Sequence, residues 1–274
     1  MPSPDPQRVT GRSAVLSWFT VVVNGVLAVG LLALSLAMLA EPAAERSWST
    51  TACVAAATGG AVWLLVAASY HRNYLHVPPA DPASVGVQNA DGERAVVMTW
   101  RRTFQRQPLF VAVVVLLVAL GGTVTLAAAD DAGWWLPLVV VLLVGPWVPE
   151  RIVEAARPSR LVLSPRGIAV AGPAGDGWLD WDDVRGIAVE RENQWSVVRI
   201  VGVAGAASWR FRRRRRFVWV RAPSRPWLDV PGPAFTVEPQ HVIEAIAHYR
   251  RVPAARGELA SEAGRRRVLG PLGL

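Results

Sequence analysis

Four long apolar stretches in the first half of the chain constrain its fold more than any other feature. They cover approximately residues 14–40, 50–69, 109–129 and 133–149, and none of them contains Asp, Glu, Lys, Arg or His. About 20 helical residues cross the roughly 30 Å hydrocarbon core of a membrane, and the fourth stretch is only slightly shorter than that. The sequence therefore predicts four transmembrane helices within residues 1–149.

The arginines between the stretches predict the side of the membrane on which each connection lies. Basic residues near the ends of membrane helices mark the cytoplasmic side. Arg46 is the single basic residue in the first and third connections. The second connection holds five arginines: Arg72, Arg94, Arg101, Arg102 and Arg106. We therefore expect a multi-pass protein of the cell membrane with both termini in the cytoplasm. A cleaved signal peptide is the alternative for the first stretch, although that stretch is about twice the usual length.

The excess positive charge belongs to the second half of the chain. Residues 1–149 carry 8 arginines and 8 acidic residues, whereas residues 150–274 carry 21 and 13, which accounts for the whole net charge of +8. Cys53, the one cysteine, lies in the second apolar stretch and excludes an intrachain disulfide or a cysteine-based zinc cluster. We expect no cofactor.

Short runs typical of β-strands begin at Arg160. They cover residues 161–163, 168–170, 178–181, 187–189, 197–200, 209–211, 217–220 and 234–237, with glycine and proline turns between them. Seven or eight closely spaced strands predict a sandwich or barrel. Pro239 then opens a helix in which Val242, Ile246 and Tyr249 share one face. Residues 253–274 show little periodicity, which predicts a flexible tail.

Two features of this region resemble a known family. Residues 160–170 form a strand, a Pro-Arg-Gly turn and a second strand, and residues 177–184 read Gly-Trp-Leu-Asp-Trp-Asp-Asp-Val. With the helix at 239–250, residues 158–252 resemble a bacterial pleckstrin-homology-like domain. The resemblance implies a partly open sandwich of two antiparallel sheets capped by one C-terminal helix. It also implies a cytoplasmic binding or scaffolding module in place of an enzyme.

The segment 94–107 is compatible with two structures. On a helix, Val97, Trp100 and Phe104 lie on one face and the arginines on the other, which is typical of a basic amphipathic helix in the headgroup region. We expect this interfacial helix. The alternative is a short strand over residues 95–100 that packs on the soluble domain.

Arginines form the candidate binding site. The run Arg210, Arg212, Arg213, Arg214, Arg215 and Arg216 is bracketed by aromatic residues and predicts an exposed hairpin tip. Arg101, Arg102 and Arg106 form a second basic group beside the third apolar stretch. Anionic lipid headgroups are the expected ligand, because each basic residue near an anionic leaflet contributes on the order of 1 kcal/mol. A solvated loop is the alternative. Nucleic acid is disfavoured, since no base-stacking or groove-reading motif accompanies the charge.

Other constellations predict neither catalysis nor metal binding. Asp180, Asp182 and Asp183 are expected to solvate a turn whose Trp181 and Val184 point into the core. The two histidine pairs, at 71 and 76 and at 241 and 248, lack a third ligand at metal-site spacing.

The apolar stretches disfavour transport, since they hold no ionisable group and Asn24 is their most polar residue. The sequence therefore predicts a non-catalytic scaffold or membrane sensor that binds anionic lipid or a protein partner. The alternative is an accessory subunit or carrier for a small hydrophobic molecule. Self-association and the identity of a protein partner stay open.

Overall fold

The structure is a computed structural model that describes residues 11–40, 50–75, 81–128, 130, 132–173, 175–192, 195–213 and 223–270. The chain divides into two compact units. The first, here called the β unit, comprises Met1–Ser13, Val77–Gln105 and Ala156–Leu274. The second, here called the helical unit, comprises Ala14–His76 and Arg106–Ala155. Each unit is thus built from segments that are distant in the sequence.

Apolar helices make up the helical unit. They are α1 (Gly11–Ala40), α2 (Thr50–Tyr70) with a π-helical turn over His71–Leu75, α3 (Arg102–Ala128), α4 (Trp135–Val144) and α5 (Trp147–Ala156). Small residues allow two close approaches. A Cβ placed on Gly60 would lie 3.0 Å from the carbonyl oxygen of Ala28, and one on Gly122 would lie 3.5 Å from the Cβ of Pro137. These glycines act as the helix contact points that small residues provide.

The prediction of four transmembrane helices is wrong. Among the described residues, α3 is the one helix that is long and apolar enough to cross a membrane. A second crossing is reached only when residues 132–144 are joined with α5, and this pair is bent by 42°. In α1 the described apolar helix is limited to Val21–Ala33. The fourth stretch is interrupted because Pro146 has no backbone N–H to continue the helix, so that α4 ends before it.

The β unit contains two antiparallel sheets. The larger has the strand order β1-β2-β3-β4-β5-β8, and the smaller has the order β6-β7-β9. The strands are β1 (Val85–Ala90), β2 (Glu93–Thr99), β3 (Arg160–Leu163), β4 (Gly167–Ala171), β5 (Gly175–Asp180), β6 (Val184–Glu192), β7 (Trp195–Gly202), β8 (Arg210–Arg213) and β9 (Trp227–Pro231). The unit is therefore larger than the predicted domain over 158–252, because β1 and β2 come from residues before α3.

A tight turn joins β1 to β2. Asp91 and Gly92 both have positive φ angles, 52° and 89°, which is the backbone that a two-residue type I′ hairpin requires. The favoured interfacial helix over 94–107 is thus wrong for the first half of that segment, which is strand β2 as in the alternative. Helix α3 begins at Arg102 and includes the second half.

The main core lies between the two sheets and the C-terminal helices. Helix α6 (Pro239–Arg251) is followed by a 3₁₀ segment (Pro253–Ala260) and by α7 (Glu262–Leu269). Leu259, Val268 and Leu269 are at most 1% exposed and pack in the same cluster as Trp181 and Tyr249. The predicted flexible tail over 253–274 is therefore wrong as far as Gly270, and the last four residues lie outside the described part of the chain.

The strand predictions from 161 to 200 are confirmed as β3, β4, β5, β6 and β7. The predicted strand at 234–237 is wrong, because Gly232–Ala234 forms a 3₁₀ turn and the true strand, β9, precedes it. The run at 217–220 lies outside the described residues. The predicted sandwich with one capping helix is also corrected, since sheets of six and three strands pack with α6, the 3₁₀ segment and α7.

Candidate functional site

The six-stranded sheet has two chemically different ends. At one end the chain leaves the sheet after Thr99 to enter α3 and returns at Arg160, and these two residues are cross-strand partners. We call this the helix-proximal end. The other end carries the turns at Asp91–Gly92 and at residues 164–166, and we call it the distal end. Arg166, the one basic residue in the first predicted turn, thus lies away from the start of α3.

Strand register places three arginines on one face of this sheet. Arg160 pairs with Ala171, Ala171 with Asp176, and Asp176 with Arg212. One row further toward the distal end, Trp178 pairs with Arg210. Direct cross-strand partners point to the same face of a sheet. Arg160, Arg210 and Arg212 therefore share a face with Trp178, and we call this surface the arginine face.

Distances across the arginine face follow from strand spacing. Adjacent strands lie about 4.8 Å apart, so the Cα atoms of Arg160 and Arg212, three strands apart, are separated by about 14 Å. Both Arg210 and Arg212 are exposed, and Arg160 is half-buried. Trp178 donates its indole N–H to Asp180 Oδ1 at 2.6 Å, and its ring packs over Gly167, toward the distal end of the sheet. The face presents separated guanidinium groups beside an aromatic ring and two carboxylates, Asp176 and Asp180.

The alternating residues of β8 hold this strand against the core. Phe211 stacks on Trp209 with ring centroids 6.2 Å apart, and its ring occupies the space where Gly175 lacks a side chain. Because strand side chains alternate, anchoring Phe211 inward directs Arg210 and Arg212 outward. The predicted hairpin tip is thus corrected at Arg210, Arg212 and Arg213, which lie in an edge strand. Arg214, Arg215 and Arg216 lie outside the described residues.

The three arginines of the second predicted basic group, Arg101, Arg102 and Arg106, have different surroundings. Arg101 donates from Nη2 to the carbonyl oxygen of Phe235 at 3.1 Å, and burial lowers the pKa of its guanidinium. This arginine therefore joins β2 to the segment before α6. Arg102 is exposed in the first turn of α3, and Arg106, also exposed, lies further along α3 in the helical unit. Arg102 is the member that belongs with the helix-proximal end of the β unit.

Gln105 joins the two chain segments that enter and leave the sheet. Its side-chain oxygen accepts the N–H of Ser159 at 3.2 Å, and its amide nitrogen donates to the carbonyl oxygen of Arg157. The N–H of Trp100 donates to the carbonyl oxygen of Ser159 at 2.9 Å. These bonds bring exposed Arg157 to the end where α3 begins. Sequence reasoning missed both Gln105 and Arg157, since their proximity depends on pairing across 60 residues of intervening chain.

The aspartate cluster is used in local structure, while Trp181 and Val184 are buried as predicted. Asp182 pairs with Arg256 at 2.8 Å. Asp183 accepts the backbone N–H of Ser208 at 3.1 Å and also its hydroxyl. Within the described ranges, no group of three His, Cys, Asp or Glu side chains could hold a metal ion. His241 and His248 both lie on α6, and His76 lies outside those ranges.

No protein-family model, no curated protein and no solved structure matches this chain. The resemblance to the pleckstrin-homology-like family therefore stays a prediction from the sequence motifs. The arrangement of the arginines is the observation from which a function can be argued.

Proposed function

We propose that this protein is a non-catalytic module of the cell membrane whose β unit binds anionic lipid headgroups through the arginine face. The observation that supports this is the register that aligns Arg160 and Arg212 at the end of the sheet where α3 begins. Helix α3 is apolar and long enough to enter a membrane. Its first turn therefore brings this end of the sheet toward the headgroup layer.

The charge at this end suits an anionic surface. Five arginines contribute: Arg102, Arg157, Arg160, Arg210 and Arg212. After the negative charges of Asp176 and Asp180 are subtracted, the net charge is about +3, and its attraction to an anionic leaflet is on the order of 3 kcal/mol. The attraction is screened over about 8–10 Å at physiological salt, so it acts only at close range. Basic residues are enriched on the cytoplasmic side, which is where we place the β unit.

The order of side chains on the arginine face favours charge attraction over recognition of one headgroup. The strand between Arg160 and Arg212 that pairs with Arg212 carries Asp176 on the same face, and a carboxylate there disfavours one phosphate held by both arginines. We therefore expect binding to depend on the amount of anionic lipid and to be indifferent to the chemistry of its headgroup. Non-catalytic scaffolding or sensing is the role that such a surface supports.

Ala171 and Asn89 lie at opposite ends of the six-stranded sheet and serve as reporter positions. Ala171 is partly exposed on the arginine face at the helix-proximal end, where it pairs with Arg160 and with Asp176, whereas Asn89 is exposed beside the distal turn. A nitroxide is attached at Ala171→Cys or Asn89→Cys in the full-length Cys53→Ala chain, reconstituted in neutral or phosphatidylglycerol-containing vesicles. Anionic lipid should reduce the access of a water-soluble paramagnetic reagent at position 171 and leave position 89 unchanged.

Charge-matched variants test the mechanism. Arg210→Gln with Arg212→Gln should remove most of the lipid-dependent change at position 171. Arg166→Gln with Arg185→Gln removes the same charge from exposed positions near the distal end and should have little effect. Equal effects of the two pairs, or a change that neutral vesicles also produce, would refute the proposal. The carrier alternative would instead be favoured if Asn24→Ala abolished function in cells while Arg210→Gln with Arg212→Gln did not.

A further inference from the structure

The position of α3, α4 and α5 within the sheet restricts how they can meet a membrane. Strand β2 ends at Thr99, β3 begins at Arg160, and four consecutive residue pairs join the two strands. Helices α3 to α5 are thus an insertion that starts and finishes at one place in a single sheet. A folded sheet lies on one side of a membrane, so the chain between these strands crosses it an even number of times.

Helices α3 and α4 pack against each other in opposite directions. Near the start of α4, Pro137 lies beside Gly122, since a Cβ placed on Gly122 would be 3.5 Å from it. Just after α4, a Cβ placed on Gly145 would be 3.9 Å from Leu116 Cδ1. From the first contact to the second, the residue number on α3 decreases from 122 to 116, while the residue number on the α4 side increases from 137 to 145. The two helices therefore form an antiparallel hairpin whose tip lies near Asp130.

The outer surface of this hairpin is apolar over the length of a membrane core. Leu117 and Val124 on α3 are each 62% exposed, and Leu142 and Leu143 on α4 are each 65% exposed. Residues 109–128 span about 30 Å at the helical rise of 1.5 Å per residue. Apolar side chains exposed over this length suit lipid chains better than water.

The two ends of the hairpin carry the residues that membrane interfaces prefer. Trp134 and Trp135 are exposed at the tip, and Trp147 is exposed where α4 gives way to α5. The tip carries Asp130 and no basic residue, whereas arginines lie where the chain meets the sheet. Tryptophan at both interfaces and arginine on one side alone are the marks of a membrane-inserted hairpin.

Helix α5 can lie at the interface on the sheet side. Its charged residues include Arg151 and Glu154, which form an ion pair at 2.9 Å with both side chains largely buried. Pairing reduces the cost of placing these charges beside the membrane. Ile152 and Val153 are about half exposed and supply an apolar surface. The 42° bend before α5 then marks the point where the chain leaves the hydrocarbon core.

We infer that residues 106–155 form a hairpin that crosses the membrane twice, outward through α3 and back through α4 and the start of α5. The occupant of its exposed apolar surface is the hydrocarbon core of a lipid bilayer. Asp130 then lies on the side of the membrane opposite the β unit. This inference rests on the membrane association proposed above, and it is independent of the arginine face.

Single cysteines in the Cys53→Ala chain test the inference in intact cells. A membrane-impermeant maleimide should label Ala132→Cys at the tip and should label Asn89→Cys only after the membrane is permeabilised. Labelling of both positions without permeabilisation, or of neither, would overturn the hairpin. The lipid-dependent change at Ala171 is a separate measurement, so the hairpin and the arginine face can fail independently.

Matched charged substitutions provide a second readout. Leu117→Asp places a carboxylate in the middle of the exposed surface of α3, whereas Ala132→Asp adds one beside Asp130 at the tip. In the full-length chain, Leu117→Asp should reduce at least tenfold the fraction of the protein that stays in the membrane after extraction with alkaline carbonate. Ala132→Asp should leave this fraction unchanged. Arg210→Gln with Arg212→Gln should not alter the labelling pattern. Unimpaired external labelling of Ala132→Cys in the Leu117→Asp chain would contradict insertion of α3.

Discussion

Replacing Leu259 by alanine should destabilise the β unit strongly. Leu259 is 0% exposed and belongs to the main core together with Trp181 and Tyr249. The substitution removes three carbon atoms, worth about 2.4 kcal/mol of transfer free energy, and leaves a cavity that raises the cost to about 3–5 kcal/mol. Val252→Ala is the control, because Val252 is 42% exposed and such a change costs about 0.5 kcal/mol or less.

Hydrogen exchange in the full-length chain measures this difference without separating the units. Amides in the middle of α6, around Ala245 and Ile246, are buried against the same core. A loss of 3 kcal/mol accelerates their exchange by about 150-fold when they exchange through opening of the core. Mass spectrometry of α6 peptides should show that acceleration for Leu259→Ala and almost none for Val252→Ala. Equal exchange in the two variants would refute the packing of residues 253–270 and restore the flexible tail.

Three further outcomes are expected. Gly175→Ala should cost about 1–3 kcal/mol of stability and loosen β8, because its Cβ would lie 2.6 Å from the Phe211 ring and 2.7 Å from a backbone oxygen. Gly186→Ala should be tolerated, because the space around Gly186 is open. Hydrogen exchange of the β8 amides checks both variants, and equal effects would contradict the strand pairing. Burial, and then the Glu258 carboxylate, raise the pKa of Tyr249, so its phenol stabilises the fold below about pH 10 and loses that contribution as pH rises through the folded-state pKa. In melting curves recorded over a pH series, Tyr249→Phe should therefore lose less stability at alkaline pH than the parent chain. An unchanged dependence of the melting temperature on pH would contradict this. Gln105→Leu should speed exchange at Ser159 by removing the acceptor of its N–H, while Gln88→Leu at an exposed position of β1 should not. Equal exchange at Ser159 in the two variants would contradict the role of Gln105.

Local features of the β unit were predictable, and features that depend on distant pairing were not. The hairpin of β3 and β4 is confirmed, because its turn residues and alternation lie within twelve consecutive residues. The helix that the sequence favours over residues 94–107 differs from the observed strand β2, because Ala95 to Met98 are buried on both faces of the sheet and the strand lacks the alternation of a half-exposed one. Its partner β3 lies 60 residues away, so no nearby pattern reveals the pairing.

The remaining errors have the same physical origin. The sequence gives little sign of strand β9, because Asp229 and Pro231 interrupt its apolar residues. The sheet nevertheless accommodates Asp229, whose carboxylate pairs with Arg199 at 2.7 Å. The C-terminal residues Leu259, Val268 and Leu269 have no regular spacing, since a 3₁₀ segment and a short helix bring them together. The arginine run is evident in the sequence, but its alignment with Arg160 depends on the register of four strands.

Crosslinking between the arginine face and lipid tests the proposed function most directly. A photoreactive phenylalanine analogue is introduced at Ala171, on the arginine face at the helix-proximal end, or at Asn89, beside the distal turn, of the full-length chain in vesicles with and without anionic lipid. We predict lipid adducts from position 171 in anionic vesicles that fall sharply in high salt and in Arg210→Gln with Arg212→Gln, with few adducts from position 89. Adducts that form equally from both positions, or equally in neutral vesicles, would contradict the proposed function.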